Sequence, residues 1–234
     1  MRTLLYIYVF QYNSVWLMSK IYRIVTFLPM VLGIVAVAPV FWNSLKLLLD
    51  FGVYRWFYLG FGVYVLLLLL PFVRNNARVL ETLSHEVTHA FVGLLFLKNI
   101  KSLKVSSDGS GEVRHTGNRF GATCISLSPY TLPLFTYILL IISLMVEKDN
   151  IYIFDIFVGF TFAFHIKCFV SQTSLRQTDI TSQGIVRSFV FIALFLMFNT
   201  AVVLMSVKSG LADAVVSVVK SMWVYFIILW NKVF

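Results

Sequence analysis

Two histidines and a glutamate stand at a spacing that can bind and use a metal ion. His85, Glu86 and His89 form the pattern H-E-x-x-H. Residues four positions apart on a helix lie one turn apart on the same face, so the two imidazoles can bind one Zn²⁺. Glu86 is one residue step away from that face, so it need not bind the metal itself and can still reach a water molecule bound to the metal. The spacing therefore predicts a zinc site with Glu86 as general base.

The same two histidines could instead be core residues of a helical bundle, satisfied by hydrogen bonds. The chain holds only 4 His in 234 residues, which makes the pattern improbable by chance. Ionisable groups among hydrophobic segments are costly and usually serve a function. We therefore favour the metal site.

The composition is that of a membrane protein. Hydrophobic residues make up 59% of the chain and charged residues only 12%, whereas soluble domains carry about 25% charged residues. The net charge of +9 is spread over loops and helix ends, where it suits orientation in a bilayer and contact with anionic headgroups. No basic stripe or nucleic-acid-binding module is present, so nucleic acid is not an expected partner. The expected surroundings are the lipid bilayer.

The hydrophobic segments predict an all-α polytopic membrane protein with about six transmembrane helices. We interpret residues 1–234 as one membrane-embedded domain. It would comprise an interfacial segment over 1–20, a catalytic core over 77–185 and C-terminal helices over 186–234. Spans are expected near 24–45, 56–73, 120–146, 151–170, 186–207 and 211–230, and the last could instead be an interfacial helix.

The H-E-x-x-H helix, expected over about 77–97, is polar in its first two turns and apolar in its last two. This polarity puts the metal site just inside one membrane face, where water can reach it. Ser128-Pro129-Tyr130 interrupts the span at 120–146. Irregular backbone at membrane depth is tolerated only against protein or a water-filled cavity. The break therefore either lines the site or is a kink without a role.

A small β-hairpin is predicted after the H-E-x-x-H helix, in the polar stretch 98–117. Leu103, Val105 and Val113 alternate with polar residues on either side of Asp108-Gly109-Ser110-Gly111, as in a hairpin. An unpaired strand edge could bind an extended peptide by strand addition, which makes these three residues candidates for substrate binding. An exposed loop whose lysines contact headgroups fits the stretch equally well.

A catalytic zinc needs a third protein ligand and one open position. Outside the motif, the candidates are Glu112, His115, Asp155, His165 and Asp179. Asp179 is preferred, because it precedes a span and a loop can bring its carboxylate to the level of the two histidines. Asp155 and His165 are alternatives that could also be partners of the ligands or satisfied core groups. Glu112 and His115 are expected on the hairpin surface.

The chain resembles the site-2-protease-type intramembrane metalloproteases in a succession of three features. They are the run His85-Glu86-Val87-Thr88-His89-Ala90, a short hairpin with Asp108-Gly109-Ser110-Gly111, and then a span. The likeness is to their compact subgroup without a PDZ domain and covers roughly 81–140, with a distant Asp before a later span. It implies that His85, His89 and Asp179 bind one zinc ion and that Glu86 activates water. The implied reaction is hydrolysis of a peptide bond in or near the transmembrane segment of a membrane-anchored protein. Where the family usually has Asp-Gly, Ile180 follows Asp179.

Two other functions could use the same histidines. A membrane metal transporter would need ligands along a continuous path, yet most ionisable residues lie near span ends. A zinc-stabilised inactive scaffold would bind the metal without catalysis. The sequence says nothing about the oligomeric state.

The distribution of cations predicts a bacterial plasma-membrane protein with its active site near the cytoplasmic face. Lys20, Arg23, Arg74 and Arg78 lie toward the start of the H-E-x-x-H helix, and cytoplasmic ends are enriched in such residues. The basic residues over 98–119 contradict this orientation unless the hairpin folds back toward the same side.

Overall fold

The computed structural model describes residues 2–106, 109–117 and 120–233, with side chains from Val25 onward apart from Asn75, Lys148 and Val233. The described chain is mostly helical, which confirms the predicted all-α polytopic fold with a small hairpin. The elements are α1 (Arg2–Leu47), α2 (Phe51–Leu67), α3 (Pro71–Leu95), β1 (Asn99–Val105), β2 (Gly111–Thr116), α4 (Ala122–Leu127), α5 (Leu134–Ser143), α6 (Ile151–Gln172), α7 (Thr178–Gln183), α8 (Ile185–Ser209) and α9 (Leu211–Val233).

In the part of the chain that the structure describes, four helices are long and apolar enough to cross a membrane. They are Val25–Leu47, Ile151–Gln172, Ile185–Ser209 and Leu211–Lys232. The bent pair of α4 and α5 makes a fifth if it counts as one span, against about six predicted. The C-terminal helix is thus a full candidate span. The predicted interfacial segment over 1–20 lies outside the residues with described side chains and stays a prediction.

Helices α2 and α6 pack unusually closely in the centre of the bundle. A Cβ at Gly60 would overlap the carbonyl of Ile156, and one at Gly159 would overlap the carbonyl of Phe57. Small residues let helix backbones approach in this way. Tyr54, Phe57, Leu140, Val158, Phe162, Val203 and Leu204 form the adjoining buried cluster of α2, α5, α6 and α8. This tight pairing fixes α6, whose end reaches the functional site.

The span between residues 122 and 143 is broken, as the sequence predicted. A 3₁₀ turn over Ser128–Tyr130 follows α4, and the axes of the two halves meet at 85°. The break exposes backbone groups that no helix satisfies. The side-chain amide of Asn199 in α8 donates to the Thr131 carbonyl at 3.0 Å, which satisfies one of them inside the bundle.

Strands β1 and β2 form an antiparallel hairpin, in which Leu103 lies opposite Val113 and Val105 opposite Gly111. The register shifts between Ile100 and Ser102, as at a β-bulge. The hairpin packs along α3 rather than extending away from it, and Thr82 donates to the Gly109 carbonyl at 2.8 Å. The end of the hairpin at Gly109 is therefore attached to the middle of α3.

Replacing Gly159 with Ala should destabilise the protein, because the added methyl group would collide with the backbone of α2. Overpacking of this kind costs about 1–3 kcal/mol. Gly62→Ala is the matched control in α2, since a Cβ there meets nothing within 4 Å. Thermal unfolding in detergent should show a lower midpoint for Gly159→Ala alone. Equal midpoints would contradict the close approach of α2 and α6.

Candidate active site

Helix α3 carries one polar stripe, which is exposed at its start and buried further along the helix. It begins at Pro71 rather than at the predicted residue 77, because proline is favoured at the first helical position. Positions 74, 78, 81, 82, 85, 86 and 89 follow a spacing of three or four residues and share one face. His85, Glu86 and His89 are the last members of this stripe. The chemistry of α3 is thus gathered on a single surface.

The structure brings the three predicted metal ligands together. Nε2 of His85 lies 3.2 Å from Oδ2 of Asp179, and Nε2 of His89 lies 3.4 Å from the same oxygen. One donor atom from each residue lies within 4.8 Å of the others, in the one such group of three found among the described residues. Two imidazole nitrogens and a carboxylate oxygen are a donor set suited to zinc, with a further position left for water.

Both histidine rings are oriented by oxygen atoms from other helices. Nδ1 of His85 lies 2.9 Å from the side-chain oxygen of Gln172 at the end of α6. Nδ1 of His89 lies 2.8 Å from the carbonyl of Ile125 in α4. A ring that donates from Nδ1 keeps the lone pair of Nε2 free for a metal, as is usual for metal-binding histidines. Both the donor atoms of these residues and the hydrogen bonds that orient the two rings therefore suit a metal ion.

The Asp179 carboxylate is fixed by the packing of the short helix α7. The neighbouring residue Ile180 is fully buried, and Ser188 donates to its carbonyl at 2.9 Å. Tyr130, at the break in the bent span, donates its hydroxyl to Oδ2 of Asp179 at 3.3 Å. Its ring also contacts His85 edge-on, with centroids 5.3 Å apart. The broken span therefore lines the ligand group.

Burial alone would raise the pKa of Asp179, because it disfavours the charged carboxylate. When Nε2 of both rings carries a proton, hydrogen bonds from His85 and His89 outweigh burial and hold the pKa of Asp179 well below its usual range. A bound metal ion would take the place of those two protons. Asp179 is therefore an ionised carboxylate, the form in which it can bind a cation.

Glu86 lies beside the ligand group, where the hairpin meets α3. A Cβ at Gly111 would lie 2.7 Å from Cγ of Glu86 and 2.8 Å from its Oε1. Both contacts are closer than real Cβ atoms show, so only glycine fits opposite Glu86 at this point of β2. The general-base candidate is thus held against the first residue of a strand.

A polar cavity of about 1090 Å³ opens in front of these residues. His85 and Glu86 lie in its wall, and Gly109 and Gly111 border it from the hairpin. The rest of the lining is Leu68, Arg74, Ala77, Arg78, Glu81, Thr82, Lys167, Ser171, Gln172 and Gln177. A space of this size and polarity gives water access to the ligand group.

An ion pair between the buried Glu81 and the partly exposed Lys167 ties α3 to α6 in the wall of the same cavity. Glu81 is only 5% exposed. Lys167 approaches its Oε1 at 2.8 Å, and Ser171 donates to its Oε2 at 2.7 Å. Each carboxylate oxygen therefore has a partner, which offsets the cost of burying the charge. Glu81 lies one turn before His85 and could have been recognised from that spacing.

The other four candidates for the third ligand do not join the group. Asp155 and His165 are in α6, and Nε2 of the buried His165 has no hydrogen-bond partner in the described structure. Glu112 and His115 are on β2, where Arg114 hydrogen-bonds to Glu112 at 2.7 Å and thereby lowers the pKa of that carboxyl. Of the five candidates, Asp179 is the one that lies with the two histidines, and its role as third ligand stays a prediction.

The predicted substrate-binding residues border the site less directly. Leu103 is 39% exposed, and Val105 and Val113 are half-buried, but the hairpin residues that line the cavity are Gly109 and Gly111. Sequence reasoning also missed Gln172 and the role of Tyr130 beside the ligands. The only signals were the polar stretch after α6 and the proline-containing break.

The site combines the H-E-x-x-H motif with a carboxylate that is distant in sequence but close in space. Helices long enough to span a membrane accompany it. Together they define an integral membrane protein with a site of the metallopeptidase type. The model of the Peptidase M50B-like family matches residues 58–233. This match covers most of the chain, so the chain belongs to that family. The predicted likeness to site-2-protease-type enzymes is confirmed, and no PDZ domain is found. The protein is therefore a protease of a metallopeptidase family that acts on membrane-anchored substrates. No curated protein and no solved structure gave a significant match.

Asp179→Ala should abolish stable metal binding, because it removes one of three donor atoms. Loss of a residue that only hydrogen-bonds to a ligand weakens metal affinity about 10- to 100-fold, so loss of a ligand itself should weaken it at least as much. The zinc content of the purified protein, measured by mass spectrometry, should fall to background. His115→Ala is the control that should retain zinc, since His115 lies outside the group. Full zinc content in Asp179→Ala would move the third ligand elsewhere.

Proposed function

We propose that this protein is an intramembrane zinc metalloprotease. It would hydrolyse a peptide bond in or near the transmembrane segment of a membrane-anchored protein. The observation that carries the proposal is the convergence of the His85, His89 and Asp179 donor atoms within 4.8 Å, with Glu86 beside them. The ligand group would hold a single catalytic ion.

Bound zinc would lower the pKa of a water toward about 7 and polarise the scissile carbonyl. Glu86 accepts the proton of the attacking water on its carboxylate and passes it to the leaving amine. Gln172 and the Ile125 carbonyl keep both imidazoles in the orientation that leaves Nε2 free. The cavity admits the water that the reaction consumes.

The substrate must present an unwound backbone, because a helical peptide bond is shielded by its own hydrogen-bond ladder. We propose that the hairpin holds this unwound strand by strand addition, with Leu103, Val105 and Val113 as the flanking side chains. The close contact of Gly111 with Glu86 supports this role, since a chain lying along that end of the hairpin would pass the general base.

An apolar groove supports entry of the substrate from the lipid. The groove measures about 330 Å³ and lies between α2, α3, α5 and α6. Leu68 and Ala77 line both the groove and the polar cavity, so the two spaces adjoin. A transmembrane segment lying in the groove could deliver its end to Glu86.

The site would lie near the cytoplasmic face of a bacterial plasma membrane. Arg74 and Arg78, both exposed, are at the start of α3 and favour that orientation. The basic hairpin supports it, because the hairpin runs back along α3 and Gly109 lies against Arg78 in the first half of that helix.

Metal transport and an inactive zinc scaffold are the rival functions. Among the described residues, only one group of three metal-binding side chains occurs, which is too few for a relay across the membrane. Reconstituted protein should cleave an anchored peptide without moving zinc across the liposome bilayer. Zinc flux without cleavage would indicate a transporter, and zinc binding without either activity would indicate a scaffold.

Glu86→Gln should retain zinc and lose cleavage, because the amide keeps the shape of the side chain but cannot accept the proton. Removal of a general base costs about 10²- to 10⁴-fold in rate. Cleavage of a membrane-anchored peptide and zinc content should be measured on the same preparation. Glu147→Gln, on an exposed turn, is the matched control and should cleave normally. Full activity of Glu86→Gln would refute the general-base role.

Gly111→Ala should slow cleavage while zinc content is retained. The added methyl group would displace either Glu86 or the end of β2, and a misplacement of about 1 Å can cost roughly 100-fold in rate. The rate on the same anchored peptide is the measurement, and Gly62→Ala serves as the control for a glycine with free space around it. An unchanged rate would show that this contact does not position the general base.

A further inference from the structure

Two arginines extend the catalytic stripe of α3 toward its start. Arg74 and Arg78 line the same cavity as His85 and Glu86, and both are exposed to it rather than packed in the core. Neither lines the apolar groove between α2, α3, α5 and α6. A molecule bound in the polar cavity would therefore be near both positive charges.

Among the described residues, the two guanidinium groups are the cations of the cavity wall without an ion-pair partner. Lys167, the other cation of the cavity wall, is already paired with Glu81. In the described structure, Arg74 and Arg78 have no ion-pair partner. A Cβ at Gly109 would lie 3.6 Å from Cβ of Arg78, which puts this arginine beneath the hairpin turn. Within the described part of the chain, the cavity wall thus carries two positive charges without an ion-pair partner, one of them next to the hairpin.

Their distance from the reacting centre can be read from helix geometry. A helix rises about 1.5 Å per residue, so Arg78 lies about 10 Å and Arg74 about 16 Å along the axis from His85. An extended peptide advances about 3.3 Å per residue. A strand lying along α3 would therefore bring residues about three to five positions from the scissile bond opposite the arginines.

We propose that Arg74 and Arg78 select substrates with an Asp or Glu about three to five residues from the scissile bond, on the side of the chain that lies toward the start of α3. This inference rests on the proposed protease function. Arginine binds carboxylate through two parallel hydrogen bonds, which gives both strength and geometric selectivity. Placement inside the cavity, rather than at the apolar groove, favours a peptide carboxylate over a lipid headgroup.

The test uses full-length protein in nanodiscs and a library of membrane-anchored peptides with randomised residues beside the transmembrane segment. Mass spectrometry of the products gives the cleavage position and the residues enriched around it. Wild-type protein should enrich Asp and Glu three to five positions away, on one side of the cleaved bond only. The acidic-to-neutral cleavage ratio should fall about tenfold in Arg74→Gln/Arg78→Gln, which is what one charge-assisted hydrogen bond contributes.

Charge reversal and a control variant sharpen the measurement. Arg74→Glu/Arg78→Glu should shift the enrichment to Lys and Arg at the same positions. Arg55→Gln is the control, because Arg55 is an exposed arginine of α2 that lies outside the cavity lining. Arg55→Gln should keep the wild-type ratio. An unchanged ratio in the double Gln variant, or the same loss in Arg55→Gln, would overturn the proposal.

A binding arm separates this inference from the protease proposal. Glu86→Gln protein should bind an acidic anchored peptide about tenfold more tightly than its amide counterpart, and the added arginine substitutions should remove that preference. Preferential binding without cleavage by the wild-type protein would refute the protease and leave the selectivity standing. Equal binding of both peptides would refute the selectivity, as would a preference that follows the fraction of anionic lipid rather than the peptide sequence.

Discussion

The hydrogen bonds at Nδ1 of the two histidines are the interactions on which the site depends. An imidazole presents its second nitrogen to a metal only if its ring is held in one orientation. Gln172 holds His85 from α6, and the Ile125 carbonyl holds His89 from α4. Three helices must therefore be in place before the pair of donors exists. The close α2–α6 packing at Gly60 and Gly159 matters to the site for this reason, since it fixes the helix that carries Gln172.

The third donor depends on apolar packing rather than on its own helix. Helix α7 spans Thr178–Gln183, far fewer residues than an isolated helix needs for stability. Ile180 attaches it to a buried cluster made of Leu127, Tyr130, Ile180, Phe191 and Ile192. The same cluster contains Tyr130, which hydrogen-bonds to Asp179. One small core thus positions both the carboxylate and its hydroxyl partner.

The sequence was sufficient where chemistry follows local periodicity. His85, Glu86 and His89 obtain their relative positions from the helix alone, and the polar start of α3 predicted a water-accessible site. Asp179 could be preferred because it precedes a span and because few His or acidic residues lie outside the motif. The start of α3 was misjudged, since Leu69 and Leu70 continue the apolar pattern of α2 and hide the boundary at Pro71.

The contacts that sequence reasoning missed all join residues far apart in the chain. Gln172 and His85 are separated by 87 positions, and Tyr130 and Asp179 by 49. No local pattern reports which polar group will meet which ring after packing. The polar stretch after α6 and the Ser128-Pro129-Tyr130 break were visible, but their partners were decided by the bundle. The ion pair of Glu81 with Lys167 was missed for the same reason. Glu81 lies on the polar stripe of α3, but its partner Lys167 lies in α6.

The composition of α3 explains how a bundle of apolar helices can perform hydrolysis. Each polar residue on its stripe lowers its suitability as a membrane span, and α3 is not among the candidate spans of the described chain. Those same residues form the wall of a cavity of about 1090 Å³. Water could not reach a ligand group enclosed by helices as apolar as α8. The cost of placing Glu81 and His85 inside the bundle is offset by Lys167, Ser171 and Gln172 from α6, and these three partners also line the cavity through which water reaches the site.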